Sequence, residues 1–109
     1  MSETYTITHY TENGKDIFEN WYSKLRDTRA KIAIDRAIIN AEKGNLGVHR
    51  FCRDGISELV INYGPGYRIY YSVIGKTILL LLCAGDKSTQ QKDINKAVKY
   101  FNKYKEEHS

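Results

Sequence analysis

The chain has 109 residues, enough for one domain and too few for two independent cores. A mean hydropathy of −0.55 and a longest apolar run of only Ile78 to Ala84 argue against a membrane-spanning helix, and the first residues, Met1-Ser2-Glu3-Thr4, show no secretory leader. Seventeen Lys and Arg against thirteen Asp and Glu leave +4, compatible with an anionic partner, and the excess collects between Lys87 and Lys105, where Asp93 is the only acid. A cytoplasmic, α+β, single domain over 1–109 is expected, with Cys52 and Cys83 both reduced.

Residues 4–10 alternate and are rich in β-branched and aromatic types, which predicts a strand, and Asn13-Gly14 turns the chain. Between Asp16 and Arg26 the stripe Ile17, Phe18, Trp21, Tyr22 and Leu25 predicts an amphipathic helix. Asp27-Thr28 caps a second helix whose apolar face runs from Ala30 to Ala41 and stops at Gly44-Asn45, so the two form a helical hairpin. Four strands follow: His49–Arg53, Ile56–Tyr63, Tyr67–Ile74 and Thr77–Ala84. Gly75-Lys76 reads as a two-residue type II′ loop. The unbroken Ile-Leu-Leu-Leu-Leu of the last strand places it in the sheet centre with both faces covered. Ser88 to Gln91 reads as a capping box, and Ile94, Ala97, Val98 and Phe101 give the closing helix its apolar face. The predicted order is β-α-α-β-β-β-β-α, with no repeat and no linker.

Phosphate-loop, dinucleotide and zinc spacings are absent, so no metal and no cofactor are expected. His9, His49 and His108 are scattered. Cys52 stands beside two arginines, which would lower its pKa, but no base or orienting group is identified for it. Two segments depart from ordinary strand and turn. In Tyr63-Gly-Pro-Gly-Tyr-Arg-Ile-Tyr-Tyr, alternation puts Tyr67, Ile69, Tyr71 and Val73 on one face and Arg68, Tyr70 and Ser72 on the other. A strand arginine either pairs with Glu58 of the neighbouring strand or faces a phosphate. In Ala84-Gly-Asp-Lys-Ser-Thr-Gln, a buried strand runs into Lys87 at a helix start, either a solvated lysine or an anion site. Nine tyrosines add weight to nucleic-acid stacking, although strand packing accounts for most of them.

These two segments, with Gly55-Ile-Ser-Glu-Leu before the first, Lys-Asp-Ile after the second and the hairpin closed by Gly44-Asn-Leu-Gly, resemble the addiction-module killer proteins of the RelE/ParE toxin superfamily, in the phage-derived, HigB-like branch. The resemblance runs from about Phe18 to Ala97. It implies a RelE-like, mostly antiparallel twisted sheet packed by an N-terminal helical hairpin and a C-terminal helix. It also implies the toxin of a bacterial type II toxin–antitoxin pair, a ribosome-associated, metal-independent mRNA endoribonuclease that stops translation and is held by a helix-turn-helix antitoxin. A ParE-like poison of DNA gyrase, contacting its target through the basic C-terminal helix, is the alternative. Relatives of this type usually carry arginine after Glu-Leu where this chain has Val60, so a third reading is an inactive remnant that only binds its antitoxin.

Such cleavage needs a proton removed from the 2′-OH, charge stabilised on phosphate oxygens and a proton given to the leaving oxygen. Lys87 and Arg68 are expected on the scissile phosphate, Tyr63 or Tyr70 holding a base or a proton, and His49 as acid or base. Arg50, Arg53, Lys92 and Tyr67 are expected to bind the RNA.

Overall fold

The protein is described by a computed structural model covering residues 4–109. Its elements are β1 (Thr6–His9), β2 (Thr11–Glu12), β3 (Lys15–Asp16), α1 (Ile17–Ser23), α2 (Thr28–Glu42), β4 (His49–Arg53), β5 (Ile56–Ile61), β6 (Tyr67–Ile74), β7 (Ile78–Asp86) and α3 (Gln90–Glu107), with a 3-10 turn at Lys87–Thr89 between the last two. The α+β class stands. Asn13 and Gly14 both have positive φ, as do Asp54 and Gly55, so each dipeptide closes a tight hairpin. The first of these makes β2 and β3 a separate two-stranded ribbon, where the sequence suggested only a turn.

Five strands build one mixed sheet in the order β1-β7-β6-β5-β4. β1 runs parallel to β7, and the remaining pairings are antiparallel. The central strand is β6, with β7 beside it. Tyr67 to Ser72 are all buried although the segment contains Arg68 and Ser72, because a five-stranded sheet covered on both sides leaves its middle strand no solvent face. Ile74 pairs with Ile78, which leaves three residues in that loop rather than the two expected.

One core lies toward α1 and α2 and gathers Phe18, Ile34, Leu59, Ile69, Tyr71 and Leu81. The other lies toward α3 and gathers Ile56, Tyr70, Leu80, Leu82, Cys83 and Ile94. Cys83 is thus the buried packing residue its strand position implied. A bulge in β7 divides the strand: Tyr70 pairs with Cys83 and Tyr71 with Leu81, leaving Leu82 without a partner on β6. Leu82 and Cys83 therefore both belong to the α3 core, and Ala84 returns to the other.

Asp16 and Asp27 cap α1 and α2, each side chain accepting backbone N–H bonds of the first turn. Tyr22 of α1 donates its hydroxyl to Asp35 of α2 at 2.8 Å, tying the two helices together. The capping box expected at Ser88 does not form. Asp86 instead caps the 3-10 turn that precedes α3, accepting from the Ser88 N–H at 2.8 Å, while Gln91 reaches forward to Asn95. Asp86 competes successfully because a carboxylate is the stronger acceptor and its residue already has extended backbone geometry.

Candidate functional site: an arginine-lined cleft over a buried glutamate

The period of two along each strand places Arg50, Glu58, Tyr70 and Cys83 in one row across β4, β5, β6 and β7, and Val60, Arg68 and Gly85 in the next. Glu58 is 1% exposed. Its carboxylate accepts from Arg50 Nη2 at 3.1 Å, from Gln90 Nε2 at 3.0 Å and from Cys52 Sγ at 3.6 Å. Arg68 Nε approaches the same carboxylate at 3.3 Å, an ion contact without hydrogen-bond geometry. One buried charge is thus shared by two guanidinium groups and an amide from three different elements. Removing a carboxylate from water costs several kcal/mol unless such partners replace the solvent, so Glu58 and its donors hold each other in place.

Above this carboxylate a cleft of about 260 Å³ opens between β4 and the start of α3, with Arg50, Arg53, Gln90, Gln91 and Ile94 in its walls. Arg50 is bonded on one side and its side chain is 60% exposed, which leaves donors free for a ligand in the cleft. Arg53 bridges its own turn and α3: Nη1 donates to Asp54 at 2.6 Å, and Nη2 donates to Asn95. A solvent-open pocket lined by guanidinium and amide donors, whose one carboxylate is already neutralised, fits a small anionic group such as a phosphodiester.

No family model matches the chain. It is 46% identical over 80 residues to an uncharacterized protein of Haemophilus influenzae, a match spanning 73% of this chain and 81% of that protein. The chain belongs to the same family as this Haemophilus influenzae protein.

In this member of the Haemophilus influenzae protein's family the expected site residues divide between the two sides of the sheet. Arg50, Arg53 and Arg68 come together on the α3 side. Arg68, however, is not a solvent-facing guanidinium: it is 6% exposed and paired with Glu58, which is the strand-pair alternative read from the sequence. Lys87 is exposed in the 3-10 turn, beside the Gly64–Gly66 loop, where a side chain at Gly66 would come within 3.7 Å of its Cβ. Its strand neighbour Asp86 pairs with Tyr67, so Lys87 rims the same end of the sheet as Arg68. Lys92 is exposed on α3.

Four placements depart from expectation. Tyr70 lies in the Glu58 row but is fully buried, and its hydroxyl has no hydrogen-bond partner. Burial first, then the nearby Glu58 and Asp93 charges, push its phenol far above the ordinary value, so it meets neither solvent nor substrate. Tyr67 packs edge-on against Trp21 at 5.8 Å in the opposite core and offers no open stacking face. Tyr63 also lies on that side, its hydroxyl donating to the Asp27 cap of α2 at 3.0 Å. His49 is the cross-strand partner of Leu59, which faces α2, and its Nδ1 meets the Gly47 carbonyl at 2.9 Å. For Tyr67 and His49 the placement follows from strand alternation, which separates residues that are close in sequence by the thickness of the sheet.

Cys52 also behaves differently from its sequence context. Burial and the Glu58 carboxylate push its thiol up to about 11, outweighing Arg50 and Arg68. Sequence reasoning identified Glu58 only as a partner for Arg68; its role as the centre of the cluster, and the arrival of Gln90 from α3, were not anticipated. The available signal is a single charged residue in the segment Ile56–Ile61, whose only other polar residue is Ser57. Among the described residues no three His, Cys, Asp or Glu side chains are grouped as metal ligands, and no helix is long and apolar enough to cross a membrane.

Proposed function

We propose that this protein is the toxin of a bacterial type II toxin–antitoxin pair and cleaves mRNA without a metal. The observation that carries the reading is the cleft in which Arg50 and Arg53 stand over a Glu58–Arg68 pair, with Lys87 at the adjoining sheet end. The sequence resemblance to RelE-like killer proteins, and the sheet packed by two helices on one side and one on the other, support it.

In this mechanism Arg50 and Lys87 bind the scissile phosphate and stabilise the charge that grows on its oxygens as the 2′-OH attacks phosphorus. Arg68 acts from behind: with Glu58 it fixes the direction of the Arg50 fork. Arginine does not give up its proton near neutrality, so the leaving 5′-oxygen takes its proton from the Lys87 ammonium, which has no ion-pair partner among the described residues, and the 2′-OH proton passes to solvent water. The products are a cyclic phosphate and a 5′-hydroxyl. A helix-turn-helix antitoxin would restrain the toxin, and a short neighbouring gene of that type is expected.

The test is induction in a host cell followed by primer extension on cellular mRNA. Wild type is expected to halt growth and leave discrete mRNA ends. Lys87→Ala is expected to remove both while staying folded, since loss of one transition-state donor costs about 10²–10³ in rate. A folded, fully toxic Lys87→Ala protein overturns the assignment, and a DNA-damage response without mRNA ends replaces the nuclease with a gyrase poison.

A further inference from the structure

Lys92, Lys96, Lys99 and Lys103 recur at spacings of four, three and four along α3 and therefore form one stripe, about 16 Å long at the helical rise. Its buried counterpart is the opposite face, where Ile94 and Ala97 pack. Lys92, Lys96 and Lys99 are exposed, and Lys103 donates to Glu12 of β2 at 2.5 Å. The only acid between Gln90 and Lys105 is Asp93, which is buried and accepts the Thr89 hydroxyl at 2.5 Å. The stripe itself therefore has one sign. Lys15 of β3 extends it sideways, lining with Lys96 the groove between α1 and α3.

This arrangement works against the helix that carries it. Lys92 with Lys96, and Lys99 with Lys103, are like charges four residues apart, which repel. Lys92 also lies in the first turn, where the helix dipole favours acids and disfavours cations. A face selected only for solubility mixes both signs. We propose that the stripe is a second binding surface for RNA phosphodiester backbone, outside the cleft and independent of cleavage. It rests on the RNA part of the reading above and not on the nuclease chemistry. An acidic polypeptide is the competing partner of the same charge. Protein interfaces, however, concentrate their affinity in apolar anchors, and none of the exposed large hydrophobic residues (Ile32, Ile39, Val48, Phe51 and Val73) lies on α3. A row of ammonium groups without anchors matches a row of phosphates.

The experiment measures binding of a fluorescent, fully 2′-O-methylated RNA single strand, which cannot be cleaved by 2′-OH attack, over a range of salt concentrations. Wild type is compared with the triple variant Lys92→Gln, Lys96→Gln, Lys99→Gln; Lys103 is left in place because it holds Glu12. Each phosphate contact contributes about −0.7 to the slope of log K against log salt for single strands, so the triple variant is expected to flatten the slope by about 2 and to bind at least tenfold more weakly at low salt. Its circular dichroism and melting temperature should match or exceed those of wild type, since repulsion has been removed. An unchanged slope in the folded triple variant overturns the proposal while leaving the nuclease untouched. RNA binding lost in the triple variant, from a wild type that cleaves no mRNA, upholds the stripe and removes the nuclease. No RNA binding by wild type, or equal stripe-dependent binding of a poly-glutamate peptide, also overturns it.

Discussion

The two faces of the sheet are built from different chemistry. Toward α1 and α2 the buried side chains are aliphatic and aromatic, with Phe18, Trp21 and Tyr67 meeting ring against ring. Toward α3 lie all four buried polar or charged residues found among the described residues: Glu58, Arg68, Ser72 and Asp93. A face closed by two helices has no water to offer a charge and so contains none. The α3 face is closed over β6 and β7 but open beside β4, and the charges gather where that opening begins. The contrast teaches that the first face is held by packing alone, while the second combines packing with buried charges that hold guanidinium groups at an open cleft.

The largest effect that would test this contrast is at Glu58. Glu58→Ala leaves Arg68 buried without its counter-charge and should cost about 3–5 kcal/mol in chemical denaturation. Replacing the pair together, Glu58→Leu with Arg68→Met, should recover most of that loss. The matched change on the other face, Leu81→Ala at a fully buried position, should cost about 2–5 kcal/mol. It should leave RNA affinity per folded molecule unchanged, whereas both Glu58 variants should weaken it. Equal effects of the two faces on RNA binding would end the division of labour.

Gly85→Ala should come next, at about 1–3 kcal/mol by overpacking. A Cβ there would stand 1.9 Å from Asp93 Oδ2 and 2.8 Å from Thr89 Oγ1, so the first turn of α3 must move. A melting temperature equal to wild type would show that α3 is free to shift.

The smallest effect concerns pH. Burial raises Asp93 above the ordinary carboxylate value of 3.8, against the opposing pull of Thr89, Lys96 and Lys92. The folded state therefore holds this proton more tightly than the unfolded chain. The associated stability is fully present below pH 3.8 and is lost as pH rises through the higher folded value. Asp93→Asn should remove that part of the decline in denaturation measured across the acid range. A variant with the same slope as wild type would assign the decline to other groups.

Much of the fold is legible in the sequence because local signals agree there. Asp27 caps α2, Asn13-Gly14 and Asp54-Gly55 close hairpins, and the Ile94, Ala97, Val98 and Phe101 stripe gives α3 its buried side. Alternation in β6 correctly separates Tyr67, Ile69 and Tyr71 from Arg68 and Tyr70. The parallel partner of β1 is not legible, since Thr6 meets Ile78 from the far end of the chain and no local pattern encodes that pairing. The candidate site was legible in part. Arg50, Arg53 and Arg68 share one side, but Tyr63, Tyr67 and His49 fall on the other. Adjacency in sequence does not bring side chains together in a sheet, because a strand sends neighbours to opposite faces. Tyr70 was placed on the correct side, but not its complete burial, which depends on how far α3 reaches across the sheet.

The extra residue in β7 and the glycine that follows it belong together. Upstream of Leu82 the strand is in one phase, and downstream in the other, so Ala84 turns its methyl toward α1 and α2 while Gly85 lies under α3. Were Leu82 instead to pair with Tyr70 in an unbroken ladder, Ala84 would stand opposite Arg68 and set a methyl group where the Asp93 carboxyl now rests. The bulge thus decides which of two small residues α3 docks upon, and with it how closely Gln90 can lean toward Glu58.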